Sequence, residues 1–165
     1  MVNLEDSILS LYAYDVEKNE RMLLKNYPVS CGKRDDTLVS GYLTPTGIFS
    51  LGERIAVYKE GQIRDVNGNK TEMITVFGTR WIPFDQEVAF CTGKAKGLGI
   101  HGVPWEHCGD ELIEKRSCLQ EYDSEGCIRL ITEDMEELFA LVVSRPGFVH
   151  IVKNFDDVQL PGTEI

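Results

Sequence analysis

The chain lacks any run of about 18 apolar residues, the length a membrane-crossing helix needs, so no transmembrane segment is expected. No secretory leader is visible: residues 1–10 carry acids and no apolar core segment. Basic residues are scarce. Lys and Arg number 17 against 27 Asp and Glu, a formal charge of −10. That balance argues against nucleic acid or an anionic membrane surface as partner. Paired C-x-x-C and H-x-x-x-H spacings are missing, which disfavours a zinc site built from His107, Cys108, Cys118 and Cys127. Repeats and low-complexity linkers are also missing, so residues 1–165 read as one domain with length enough for a proper core.

What is present begins with cysteine. The five stand at 31, 91, 108, 118 and 127, an odd count that leaves at least one thiol unpaired if the others bridge. Cys108 and Cys118 bracket a short polar segment; they either close a loop in an oxidising compartment or stay reduced. Cys127 sits in Ser124-Glu125-Gly126-Cys127-Ile128-Arg129-Leu130. A glycine beside a cysteine lets backbone amides approach whatever the sulfur attacks. An arginine two positions on offers a permanently charged fork for a carboxylate. Read alone, the segment is better taken as a buried strand-end cysteine beside a surface arginine, since free cysteines are usually buried and inert.

The first half of the chain reads as strands. Residues 7–15 alternate apolar and polar, and 21–30 form a partner after the turn at 17–20. Further strands are expected at 47–51, 55–59, 73–77, 88–91, 99–101 and 148–153. Asn67-Gly68-Asn69 is a hairpin-turn signal. One helix is expected over about 132–145, with Thr132 as N-cap, Met135, Leu138, Phe139 and Val142 at helical spacing, and Pro146-Gly147 as the stop. A shorter helix is expected over 110–115. Mostly strands with one main helix implies a mainly β domain, a β-sandwich or partly closed barrel.

A cysteine nucleophile needs a base. Of three histidines, His107 lies in a polar stretch and His150 alternates with Val149 and Ile151 in the last strand. His101 lies between glycines at a strand end. Three motifs then occur in order: Thr44-Pro45-Thr46-Gly47-Ile48-Phe49, Ile100-His101-Gly102, and the segment around Cys127. Together with Tyr27-Pro28-Val29-Ser30-Cys31-Gly32-Lys33 and Trp81-Ile82-Pro83-Phe84, they resemble the L,D-transpeptidase catalytic domain (YkuD family) of bacterial cell-wall enzymes. The resemblance spans roughly residues 4–153.

The resemblance implies catalytic roles for Cys127 as acyl-accepting nucleophile and His101 as base. It implies oxyanion amides at Gly126 and Cys127, a Ser124 that opens the motif, an Arg129 beside the site and a Gly102 whose backbone fixes the base. It implies peptidoglycan stem peptides as substrate, no cofactor and no metal, and a periplasmic or extracytoplasmic location. Arg129 is also expected to favour the thiolate. Two features depart from the family pattern. Glu125 stands where the family commonly has histidine; its carboxylate would disfavour a neighbouring thiolate, orient His101, or simply point outward. The gap of 22 residues between His101 and Ser124 is longer than usual, and its extra length, over 104–122, suggests a substrate-selecting loop. An L,D-carboxypeptidase using water as acceptor, a non-catalytic wall-binding module and a redox-sensing thiol protein are the alternatives.

Overall fold

The computed structural model describes residues 1–57, 60–64, 67–119 and 124–165. The strands are β1 (Val2–Asn3), β2 (Ile8–Asp15), β3 (Glu20–Pro28), β4 (Gly47–Leu51), β5 (Ile55–Ala56), β6 (Gln62–Arg64) and β7 (Lys70–Glu72). The helix α1 (Ile74–Phe77) follows, then β8 (Arg80–Ala89), β9 (Gly99–Gly102), β10 (Trp105–Cys108), β11 (Glu111–Glu114) and β12 (Ile128–Leu130). The chain finishes with α2 (Thr132–Val142), β13 (Phe148–Val152) and β14 (Thr163–Glu164).

Ten strands form one mixed sheet in the order β12-β9-β8-β4-β13-β1-β2-β3-β14, with β5 beside β8. The path then returns on itself. Ser30, two residues past β3, exchanges both backbone hydrogen bonds with Arg129 of β12, at 3.0 and 2.9 Å. This is the partly closed barrel that the strand-rich pattern implied, with α2 as its one main helix.

The core follows from strand alternation. Ile82, Ile100 and Ile128 stand side by side on three neighbouring strands and are buried together with Leu130, Met135 and Leu138. Met135 and Leu138 come from α2, so the helix covers that face. The period of two sends Trp81, His101 and Arg129 to the other face, again in one row across β8, β9 and β12.

Several expected elements differ. Residues 73–77, read as a strand, form the single helical turn α1; the strand beside them is β7. A five-residue apolar, β-branched stretch carries no period that separates the two states. Residues 110–115, read as a short helix, form β11, because Gly109 at φ 64° turns the chain back onto β10. Thr132 is the first helical residue rather than the cap; Ile131 occupies the cap position, and the helix ends at Val142, before Arg145. Without a capping side chain of its own, α2 borrows one: the Glu114 carboxylate accepts from the Thr132 amide at 2.6 Å. The strand expected over 55–59 is seen at Ile55–Ala56, residues 58 and 59 lying outside the described ones. The 67–69 turn joins β6 to β7, with Gly68 at φ 83°. The 104–122 segment, described as far as 119, is the β10–β11 hairpin followed by a short 3-10 turn, Arg116–Leu119.

All five cysteines are free thiols; Cys108 is exposed and Cys118 buried. Among the described residues no three His, Cys, Asp or Glu side chains gather as a metal site.

Candidate active site

Cys127 immediately precedes β12, and the turn that delivers it is built from its neighbours. The Ser124 hydroxyl donates to the Cys127 carbonyl at 2.7 Å and accepts from the Gly126 amide at 3.2 Å. Gly126 lies at φ 126°, where a side chain would be strained, and a Cβ there would sit 2.9 Å from Leu98 Cδ2 and 3.0 Å from the Leu43 carbonyl oxygen. Thr44, fully buried, clamps the turn from below: its hydroxyl accepts from the Gly32 amide at 2.7 Å and donates to the Gly126 carbonyl at 2.9 Å. The turn thus hangs from the 32–44 segment rather than from its own strand.

This hydrogen bonding bears on the expected oxyanion amides. The Gly126 N–H is engaged by Ser124, whereas the Cys127 N–H has no hydrogen-bond partner among the described residues. Of the two amides, the one at Cys127 is therefore the donor left available among the described residues.

His101 is buried on the same face as Arg129, its direct neighbour in the parallel β9–β12 register. Its ring packs edge-on against Phe77 at 5.4 Å and tilted against Trp81 at 5.6 Å. Nδ1 lies 2.7 Å from the Gly102 carbonyl oxygen. A carbonyl only accepts, so Nδ1 carries the proton and Nε2 keeps its lone pair. The Gly102 carbonyl thereby holds the ring and its tautomer. Burial is the main cause that holds the His101 pKa down at about 4; the Gly102 bond opposes it, and the Arg129 charge adds to it.

Burial also pushes the Cys127 thiol up, with the Gly99 amide and the Arg129 charge pulling the other way. The Arg129 charge favours the thiolate but is outweighed by desolvation. Both shifts favour the neutral thiol and the neutral imidazole over their charged forms. The Cys127 sulfur rests 3.8 Å from the Gly97 carbonyl oxygen.

Glu125 points outward, its side chain 80% exposed, and pairs with Lys33. Lys33 belongs to the same segment that supports the turn, its amide donating to the Ser124 carbonyl at 2.9 Å. The carboxylate beside Cys127 is thus balanced by a cation. Sequence reading singled out Ser124, Glu125, Gly126 and Arg129 but missed the supports: Thr44, Lys33, Phe77 and Trp81. Thr44 and Lys33 lay inside the motifs named above, but their contacts with the Cys127 turn join distant parts of the chain and left no local signal.

A mainly β barrel that carries a half-buried cysteine on a glycine turn just before β12, and a buried histidine on the neighbouring strand β9, makes a candidate cysteine acyl-transfer site. The chain belongs to the YkuD family: residues 1–163 match the model of the L,D-transpeptidase catalytic domain. A search of curated proteins returned no match. Two solved structures share the fold. Bd1075 from Bdellovibrio bacteriovorus aligns with a TM-score of 0.56 and 17% identity over 93% of this chain and 46% of its own. The K307A mutant of the helical cell shape determining protein Pgp2 from Campylobacter jejuni aligns with a TM-score of 0.59 and 21% identity, over 98% of this chain and 48% of its own. The chain spans slightly under half the length of each. At such identities the likeness is one of fold.

Proposed function

We propose that this chain is a single catalytic domain, residues 1–165, acting as a cysteine-dependent L,D-transpeptidase on peptidoglycan stem tetrapeptides outside the cytoplasm. The observation that carries the reading is the His101 tautomer: with Nδ1 committed to Gly102, the Nε2 lone pair is the only proton acceptor the ring has left.

In this reading His101 Nε2 takes the Cys127 proton as the sulfur attacks the carbonyl of the third stem residue, a diamino acid. The developing oxyanion is held by the Cys127 amide, a type of contact worth about 3 kcal/mol where a single donor has been removed from other enzymes. The imidazolium returns its proton to the departing D-alanine amine, leaving a thioester on Cys127. An amine of a second stem, deprotonated by His101, then attacks the thioester and restores the thiol. His101 starts neutral, so the base is ready without prior deprotonation. Thiol and imidazole carry the chemistry without a metal or organic cofactor.

The test is incubation with a purified tetrapeptide muropeptide. Crosslinked dimer with released D-alanine is the expected product. Tripeptide without dimer assigns water as the acceptor instead. Cys127→Ala and His101→Ala are expected to release no D-alanine; full activity in either, or none in the wild type, refutes the role assignment.

A further inference from the structure

One pocket lies beside the catalytic row without including Cys127 or His101. It measures about 390 Å³ and is lined by Thr75, Trp105, Glu106, Lys115, Cys118 and Arg129. Its roof is the β10–β11 hairpin and the 3-10 turn after it, the segment whose length departs from the family pattern. Its floor is the sheet face that carries His101, because Arg129 is the register neighbour of His101.

Among the described lining residues the charged side chains are Lys115, Arg129 and Glu106, and Arg129 is already engaged, so Lys115 is the cation left for a ligand. The nearby acid that could have neutralised Lys115 is committed elsewhere: Glu114 accepts from Arg116 at 2.7 Å and from the Thr132 amide at 2.6 Å. Lys115 forms no ion pair among the described residues, while its amide, bonded to the Pro104 carbonyl at 2.9 Å, fixes where the side chain leaves the chain. The Thr75 hydroxyl is spent on the Glu72 carbonyl at 2.8 Å. The Trp105 indole N–H, by contrast, is buried without an acceptor. An unmet buried donor is costly, and an oxygen that reached it on a small shift of the hairpin would relieve that cost. The pocket is therefore rich in donors and poor in acceptors. Its ammonium and its indole N–H suit a carboxylate, and its aromatic wall suits the aliphatic chain that bears one.

We propose that this pocket binds a carboxylate of the donor peptide, with Lys115 supplying the charge and Trp105 the N–H, and so selects stems with a free carboxylate over amidated ones. The proposal rests on the peptide-stem reading above. A tetrapeptide offers two such groups, the side-chain carboxylate of the diamino acid and the terminal carboxylate of D-alanine, and their chemistry is the same.

Calorimetric titration of the inert Cys127→Ala variant with three synthetic tetrapeptides tests it: one with both carboxylates free, one amidated on the diamino acid, one amidated at the C-terminus. Binding at least ten-fold weaker for one amidated peptide is expected, and the weaker peptide names the carboxylate. Adding Lys115→Met is expected to abolish that difference and Trp105→Phe to reduce it; Lys115→Gln replaces the methionine variant if thermal melts show misfolding. Equal binding of all three peptides, no binding of any, or a preference that survives loss of Lys115 overturns the proposal. Because the titration needs no turnover, its failure is distinct from absence of D-alanine release by the wild type, which overturns the acyl-transfer reading.

Discussion

Replacing His101 by glutamine should flatten part of the acid sensitivity of this protein. Burial holds the His101 pKa at about 4 against an ordinary value of 6.5. The folded chain thus refuses a proton that the unfolded chain accepts. Stability from this residue is fully present above pH 6.5 and is lost as pH falls through the window down to about 4. A gap of about 2.5 pH units, at about 1.4 kcal/mol per unit, comes to roughly 3 kcal/mol. That is a large share of a typical domain stability of about 5–15 kcal/mol. Glutamine keeps a side-chain amide able to donate to the Gly102 carbonyl and does not titrate. The assay is urea unfolding of both proteins at pH 7, 6, 5 and 4. The substitution imposes its own fixed cost at every pH, and every carboxylate, together with His150, titrates in both proteins. The difference between the two curves therefore isolates His101. Wild type should lose about 3 kcal/mol relative to the variant between pH 7 and 4. Parallel curves, or a wild type that gains on the variant towards acid, would refute the claim that burial keeps the ring neutral.

Three further outcomes follow from the same geometry. Thr44→Val keeps the shape but strips hydrogen bonds from the buried Gly32 amide and Gly126 carbonyl; a loss of about 2–4 kcal/mol in urea unfolding is expected, and less than about 1 kcal/mol would show that the clamp carries no weight. Gly126→Ala meets both a φ of 126° and the Leu43 backbone, so D-alanine release should fall at least ten-fold, with a stability cost of about 1–3 kcal/mol; wild-type turnover would mean that the turn does not aim the nucleophile. Because burial raises the thiol and lowers the imidazole, kcat/KM should stay flat from about pH 5 to 8, and iodoacetamide should label Cys127 slowly at pH 7; rapid labelling would point to a preformed thiolate.

The local geometry of the candidate site was more legible in the sequence than the elements around it. Ser124, Gly126 and Cys127 bond to one another within one short stretch, and the Gly102 carbonyl meets the ring of its own neighbour His101, so adjacent residues carried the information. Strand alternation likewise placed His150 opposite Val149 and Ile151, as its intermediate burial between two buried residues shows. What failed was decided by partners far away in the chain. The Met73-Ile74-Thr75-Val76-Phe77 stretch suits a strand by composition, yet Phe77 packs on Trp81 and His101, and the chain closes a helical turn there. Thr132 suits an N-cap, but the Glu114 carboxylate from the hairpin already satisfies the first amide. The dependence of the nucleophile turn on Thr44 and Lys33 spans more than 80 residues, and no window of sequence displays it.

The bridge between Ser30 and Arg129 has a consequence in time as well as space. It joins positions far apart in the chain, and contacts of that separation are among the slowest for a folding chain to find. The Cys127 turn next to it leans on the same early segment, so it is finished only when the ring of strands closes. A chain still in the act of folding thus carries Cys127 without its turn, its neighbours or its burial. Thiol labelling pulsed during refolding reads this directly: Cys127 should react as an ordinary exposed cysteine until the last phase and slow only then. Under the proposed acyl-transfer function, barrel closure would act as an arming step, withholding that chemistry from every incomplete form of the protein.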